Sequence, residues 1–311
     1  NNTFLGLCRS LFNWVTLTGA NFLGVGTHLK FYVSQGGAYY DVTPLRATTA
    51  AGDVTFAATN GSSTLTVTDT AHGALVNDFV TFSGAASLGG LVTAAVLNQE
   101  YQIASVVNAN SYTLTAKDAD GNTVTANASD SGNGGSSVVG KYQISVGYDI
   151  AVPISGWSGG TWGGGTWGTG ATSDSSLRLW TQASFGEDLV IVPRGGSIYY
   201  WDSSNGTGNR AVAVSSLANA SDVPTVANTV LVSDVSRFVF CLGANTISTV
   251  IQDPLLIRWS DQESVVNWTP AATNQAGSLR LSQGSSIITA RQSRQEILVW
   301  TDSSLFLCAS I

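Results

Sequence analysis

Charge is scarce in this 311-residue chain: Asp, Glu, Lys and Arg together make up 11% of it, against roughly a quarter in ordinary globular proteins. The 13 basic residues form no cluster, and a surface that grips nucleic acid needs grouped Lys and Arg to displace counterions from phosphate. The composition therefore argues against tight DNA or RNA binding. Methionine is absent, the chain opens Asn1-Asn2-Thr3, and it stops at Leu305-Phe306-Leu307-Cys308-Ala309-Ser310-Ile311, inside a strand-like run. The expectation is a piece of a longer polypeptide. No stretch approaches the ~20 consecutive apolar residues of a membrane span, and none has the basic start and apolar middle of a signal peptide. Cysteines are few: Cys8, Cys241 and Cys308 are odd in number, far apart and each in apolar surroundings. That pattern fits buried thiols better than a disulfide framework or a zinc site. Sustained helical periodicity is missing as well, because every apolar window is broken by Gly or β-branched residues.

What recurs instead is short β-rich runs separated by Gly, Asn, Asp and Ser, such as Leu29-Lys30-Phe31-Tyr32-Val33, Asp188-Leu189-Val190-Ile191-Val192 and Glu296-Ile297-Leu298-Val299-Trp300. The pattern predicts an all-β chain. Composition divides it into three regions. Residues 1–49 are rich in aromatics and end in a strand pair turning at Gly36-Gly37. Residues 50–143 are poor in aromatics and acidic: between 50 and 140 stand Asp53, Asp69, Asp78, Glu100, Asp118, Asp120 and Asp130 against the single base Lys117. Residues 144–311 return to the aromatic-rich style. Insertion of a small β-barrel or sandwich domain at 50–143 into a larger domain made of 1–49 and 144–311 explains this better than three domains in series. In the last region a strand-end Trp is followed closely by Asp three times: Trp201 with Asp202, Trp259 with Asp261, and Trp300 with Asp302. Each Trp is suited to filling a gap between neighbouring sheets and each Asp to capping the next turn, which is how β-propeller blades are often punctuated. A propeller-like main domain is the expectation, with these six residues as blade-packing candidates.

Candidate chemistry is thin. Gly163-Gly164-Gly165-Thr166-Trp167-Gly168 matches GxGxxG in form, but no amphipathic helix follows to cradle a phosphate. The surrounding loop, residues 156–170, better suits docking of Trp157, Trp162 and Trp167 on a neighbouring subunit or packing within the chain. Asp118-Ala119-Asp120-Gly121-Asn122 reads as a hairpin turn, since Thr123 and Ser129 stand where an EF-hand has Gly and Glu. His28 and His72 sit in turn-like contexts, and the acidic pairs Glu187/Asp188 and Asp261/Glu263 lie beside strand ends, where acids usually solvate a turn. The reading is a non-enzyme with no catalytic residues, cofactor or metal.

Three stretches resemble the tubular or nozzle tail proteins of short-tailed bacteriophages: residues 253–310 (DPLLIRWSDQESVVNWTPAATNQAGSLRLSQGSSIITARQSRQEILVWTDSSLFLCAS), residues 24–48 (GVGTHLKFYVSQGGAYYDVTPLRAT) and the loop GWSGGTWGGGTWGTG. The run SSTLTVTDTAHGALVNDFVTFSGA is similar to a β module of phage tail and fibre proteins. The resemblance implies a virion tail subunit bearing a propeller and assembled as a ring, expected to be hexameric. It further implies adaptor or portal-side proteins and tail fibres as partners, and genome ejection by DNA passing without specific binding. The alternative is a host-recognition module that stacks glycan rings on Trp157, Trp162, Trp167, Trp180 or Trp268.

Overall fold

The computed structural model describes residues 3–129, 132–147, 177, 179–294 and 296–309. The chain divides into two compact units, Pro44–Ser145 and the combination of Asn1–Thr43 with Val146–Ile311. Among the described residues the regular secondary structure is nearly all β, arranged in six antiparallel sheets, each of them open.

Sheet I is a meander of β1 (Cys8–Val15), β2 (Asn21–Thr27), β3 (Phe31–Gln35) and β4 (Ala38–Asp41). Gln35 pairs with Ala38 across Gly36 and Gly37, whose φ angles of +59° and +84° suit the type I′ turn that a two-residue hairpin favours.

The unit Pro44–Ser145 contains β5 (Leu45–Thr48), β6 (Thr55–Ala58), β7 (Thr64–Thr68), β8 (Phe79–Ser83), one helical turn α1 (Ala94–Leu97), β9 (Glu100–Gln102), β10 (Ser105–Asn108), β11 (Ser111–Thr115) and β12 (Val139–Gln143). Sheet II runs β10-β11-β7-β6 and sheet III runs β5-β12-β8-β9. Strand β7 shows why they face each other: in Thr-Leu-Thr-Val-Thr, Leu65 and Val67 are fully buried and the threonines point outward. Phe56 from sheet II meets Phe82 from sheet III edge to face, with ring centres 4.9 Å apart. Below them a buried polar chain crosses the core, Tyr112 Oη to Tyr142 Oη at 2.9 Å and Tyr142 Oη donating to Asp69 Oδ2 at 2.6 Å. Burial pushes the Tyr142 phenol well above its ordinary value, and the bonded Asp69 carboxylate adds to that, so Tyr142 stays a neutral donor. The two ends of the unit meet, with the Ile144 N–H donating to the Pro44 carbonyl at 3.0 Å beside the Leu45–Gln143 pair.

The other unit continues with sheet IV, made of β13 (Trp180–Phe185), β14 (Asp188–Pro193), β15 (Tyr199–Trp201) and β16 (Val212–Ala213). Sheet V follows with β17 (Thr229–Val232), β18 (Val239–Leu242), β19 (Leu256–Trp259) and β20 (Gly277–Arg280), and sheet VI with β21 (Ile287–Gln292), β22 (Glu296–Thr301) and β23 (Leu305–Ala309). Sheets I, IV, V and VI are up-and-down meanders, and they pack in series through their first strands: β1 on β13, β13 on β17, β17 on β21. Strand β14 explains the stacking. Leu189 through Pro193 are all buried, and a strand apolar on both faces needs a sheet on each side.

Candidate inter-sheet site

Aromatic rings fill the space between sheets I and IV. Trp201, 1% exposed, stands at the end of β15 with its ring centre 6.1 Å from Trp14 and 5.5 Å from Phe22 of sheet I, edge to face in both cases. Trp180 stacks obliquely on Phe31 at 5.1 Å and donates its Nε1–H to the Thr27 carbonyl at 2.7 Å. The Trp14 Nε1–H reaches the Glu187 carbonyl at 2.9 Å. Gly26 allows this approach, since a Cβ there would stand 2.7 Å from the Cβ of Trp180.

Between sheets IV and V the filler is Trp268, which is completely buried among Val190, Ile198, Val214, Val239 and Cys241 and donates its indole N–H to the Val265 carbonyl at 2.8 Å. Arg258, on the same face of sheet V, is also fully buried. Its Nη2 donates to Asp222 Oδ2 at 2.7 Å and its Nη1 to the Asn245 carbonyl at 3.4 Å, so one guanidinium holds two loops. Burial lowers its pKa and the Asp222 carboxylate opposes that.

The third space differs. Between sheets V and VI the inner part is packed by Leu231, Leu242, Ile257, Ala290, Ile297 and Val299, but farther out lies an apolar cavity of about 280 Å³. Phe240, Trp259 and Leu279 of sheet V line one side, Ile297, Val299 and Cys308 of sheet VI the other. Trp259 is held by its indole N–H, which donates to the Gln275 carbonyl at 2.7 Å. Burial pushes the Cys308 thiol up from its ordinary value, which keeps it protonated.

The six blade-packing candidates thus occupy different places. Trp201 faces sheet I, Trp259 faces sheet VI, and Trp300 is on the outer face of sheet VI beside Leu305, its partner across β22 and β23. The three aspartates all hold turns. Asp202 caps a 3₁₀ turn by accepting from the Ser204 N–H at 2.8 Å, Asp261 accepts from the N–H groups of Gln262 and Gln275 at 2.9 Å, and Asp302 accepts from the Ser285 N–H at 2.8 Å. Trp157, Trp162 and Trp167 lie outside the described residues. Trp180 and Trp268 are 3% and 0% exposed, so neither presents a face on which a sugar ring could stack.

The acidic and histidine candidates named from the sequence are engaged in local structure. Asp118 Oδ1 accepts from the N–H groups of Asp120 and Asn122, and hydrogen bonds from Asn122 hold its carboxyl below the usual range. His72 Nδ1 accepts from the Ala74 N–H at 3.0 Å, which leaves the proton on Nε2, facing the Asn108 carbonyl at 3.0 Å. His28 Nδ1 accepts from the Leu7 N–H. Glu187 accepts from the Leu17 N–H and Asp188 from Ser203 and Tyr200. Cys241 is buried, Cys308 half-buried and Cys8 exposed, so the expected burial holds fully for Cys241, in part for Cys308 and not for Cys8, and none is in a disulfide. Among the described residues no group of three His, Cys, Asp or Glu side chains is placed to hold a metal ion, and no helix is long and apolar enough to cross a membrane. Sequence reasoning missed Arg258 and the cavity. A lone Arg between Ile257 and Trp259 reads as solvent-facing, and the cavity walls come from strands far apart in the chain.

No protein-family model and no curated protein matches the chain. Among solved structures, phage phi92 endosialidase is similar at 13% identity and a TM-score of 0.27, over 94% of this chain and 40% of its own length. The chain spans well under half of that protein, and similarity at this level carries no argument about activity.

Proposed function

We propose that this chain is a non-enzymatic structural subunit of a bacteriophage tail, of the nozzle or tubular type, in which the serial sheets form part of a propeller and copies assemble into a ring around the path of the genome. The observation that carries the reading is the repeated meander of the larger unit, where each sheet packs on the next through its first strand, the arrangement from which propellers are built. The sequence resemblance of residues 24–48 and 253–310 to nozzle proteins supports the assignment to a tail. Low charge supports it further, because a conduit with few Lys and Arg offers DNA few sticking points.

The test is the assembly state. Mass photometry and negative-stain imaging of the full chain, alone and with the adaptor ring of its virion, should show rings that dock coaxially on the adaptor. A strictly monomeric protein that ignores the adaptor and is retained on a host glycan array would replace this reading with a host-recognition module.

A further inference from the structure

In the smaller unit, residues 69–78 carry the chain from β7 of sheet II to β8 of sheet III, and both ends of this loop are fastened to residues 103–110. At its start the Asp69 N–H donates to the Asn110 carbonyl at 3.0 Å and the Ala71 N–H to Asn110 Oδ1 at 2.9 Å. At its end the Asn77 N–H donates to the Ile103 carbonyl at 3.0 Å, and the Asp78 carbonyl accepts from the Ile103 N–H at 2.9 Å. His72 bridges the arm between them. Its ring is buried and lies edge to face on Tyr112, with ring centres 5.0 Å apart. The two ring nitrogens meet opposite partners, a donor in the Ala74 N–H at Nδ1 and an acceptor in the Asn108 carbonyl at Nε2. That pair is matched by an imidazole with a single proton. A second proton on Nδ1 would set one N–H against another and leave the Ala74 amide without its acceptor. Contacts also impose the course of the loop, since Ala71 and Asn77 hold φ of +54° and +74°, where non-glycine residues are uncommon.

The charges around the ring are few. Asp69 and Asp78, on the loop itself, accept from Tyr142 and from the Leu75 N–H. Strand β5 brings Arg46, whose guanidinium lies 5.3 Å over the Tyr142 ring and beside Gly73. Strands β11 and β12 bring the phenols of Tyr112 and Tyr142, kept neutral by burial, and Lys141 is exposed on the other side of β12.

We propose that His72 is a proton-operated latch: the neutral ring closes residues 71–76 onto the β10–β11 hairpin, and uptake of a second proton releases them while the two sheets stay folded. Histidine changes charge between about pH 5 and 8, so mild acid is the trigger. The closed loop binds one proton fewer than the open one. Its protection is therefore complete at neutral pH and falls as pH drops, by up to about tenfold per pH unit for one coupled proton. Release frees Leu75 and Val76 and uncovers the edge of Tyr112.

The test is amide hydrogen exchange on the full chain between about pH 7.5 and 5, corrected for intrinsic rates. Protection of residues 74–76 should fall at least about tenfold across this range, while the amides of β7 and β8 keep theirs. His72→Asn retains an acceptor for the N–H two residues on, as in an Asx turn, but does not titrate, so its loop protection should be the same at both ends of the range. A wild-type loop indifferent to pH, or a parallel loss over β7, would overturn the proposal. So would a His72→Asn loop that loosens as the wild type does, which would assign the response to Asp69 or Asp78. Should that variant not fold, the wild-type His72 ring signal, one of two in the chain, decides by nuclear magnetic resonance. Its proton uptake must share a midpoint with loop opening, and separate midpoints refute the latch.

Discussion

Removal of the Trp201 indole isolates what the space between sheets I and IV contributes. The side chain is 1% exposed and touches two aromatic rings of sheet I, so Trp201→Ala loses a fully buried aromatic and leaves a hole between two sheets that are themselves well packed. Truncations of this kind cost about 3–5 kcal/mol. The lost hydrogen bond from Nε1 to the Asn209 carbonyl adds little, because Asn209 is exposed and water can replace the donor. Trp201→Phe keeps most of the ring and should cost about 1–2 kcal/mol. Domains of this size are stable by only about 5–15 kcal/mol, so the alanine variant should unfold at markedly lower urea. The assay is unusually selective. All nine tryptophans of the chain lie outside Pro44–Ser145, so tryptophan emission follows the larger unit alone, while circular dichroism follows both units together. A loss below about 1 kcal/mol in the tryptophan-detected transition would refute the claim that this ring is a principal contact between sheets I and IV.

Other expectations follow from the same packing. Asp222→Ala leaves the Arg258 guanidinium buried without its carboxylate and should destabilise the larger unit by about 3–5 kcal/mol, whereas replacing both residues with apolar ones should cost clearly less, as a double-mutant denaturation cycle will show. For Asp41, burial pushes the carboxyl up, but the charges of Lys30 and Arg210 and the hydrogen bonds from Lys30 and Thr43 outweigh it, so its folded pKa lies below 3.8. A depressed folded pKa contributes stability that is present above about pH 4 and is lost as pH falls through the folded value. The stability difference between wild type and Asp41→Asn, read from urea midpoints at successive pH values, should therefore shrink as pH drops below 4, and a constant difference would contradict the ion-pair account. Because Pro44 and Ile144 are hydrogen-bonded neighbours, replacing residues 44–145 with a short Gly-Ser linker should leave the tryptophan-bearing unit soluble and cooperatively folding, and an insoluble product would argue for a shared core.

The β character of the chain was legible because strands such as β7 alternate residue by residue and because Gly36-Gly37 leaves a hairpin little choice. Compact units divide at 43/44 and 145/146, while the composition shift falls at 49/50 and 143/144. The difference arises because β5 and β12 pair with each other, and β5 belongs to the smaller unit although Leu45-Arg46-Ala47-Thr48 has no acidic signature. The Trp and Asp repeat shows the limit of local pattern. Trp201 and Trp259 end third strands and Trp300 lies on a second strand, and their side chains face different neighbours, since parity along a strand is set by register and not by the motif. Trp268, in a loop, and Arg258, in a strand, look unremarkable in sequence. Their burial depends on which sheet the chain brings back against them, and the same is true of the Tyr112, Tyr142 and Asp69 chain, whose members are separated by up to 73 residues.

Serial stacking grades the larger unit in a way that a single shared core would not. Strand β14 is clamped from both sides, whereas β23 shows Leu305 and Leu307 to solvent on one face and borders a void on the other. Local opening free energies should consequently fall toward the β21–β23 end, with the slowest-exchanging amides in β14 and the first to unzip in β23. Under mechanical load, sheet VI would then yield before the tryptophan-locked pair of sheets I and IV.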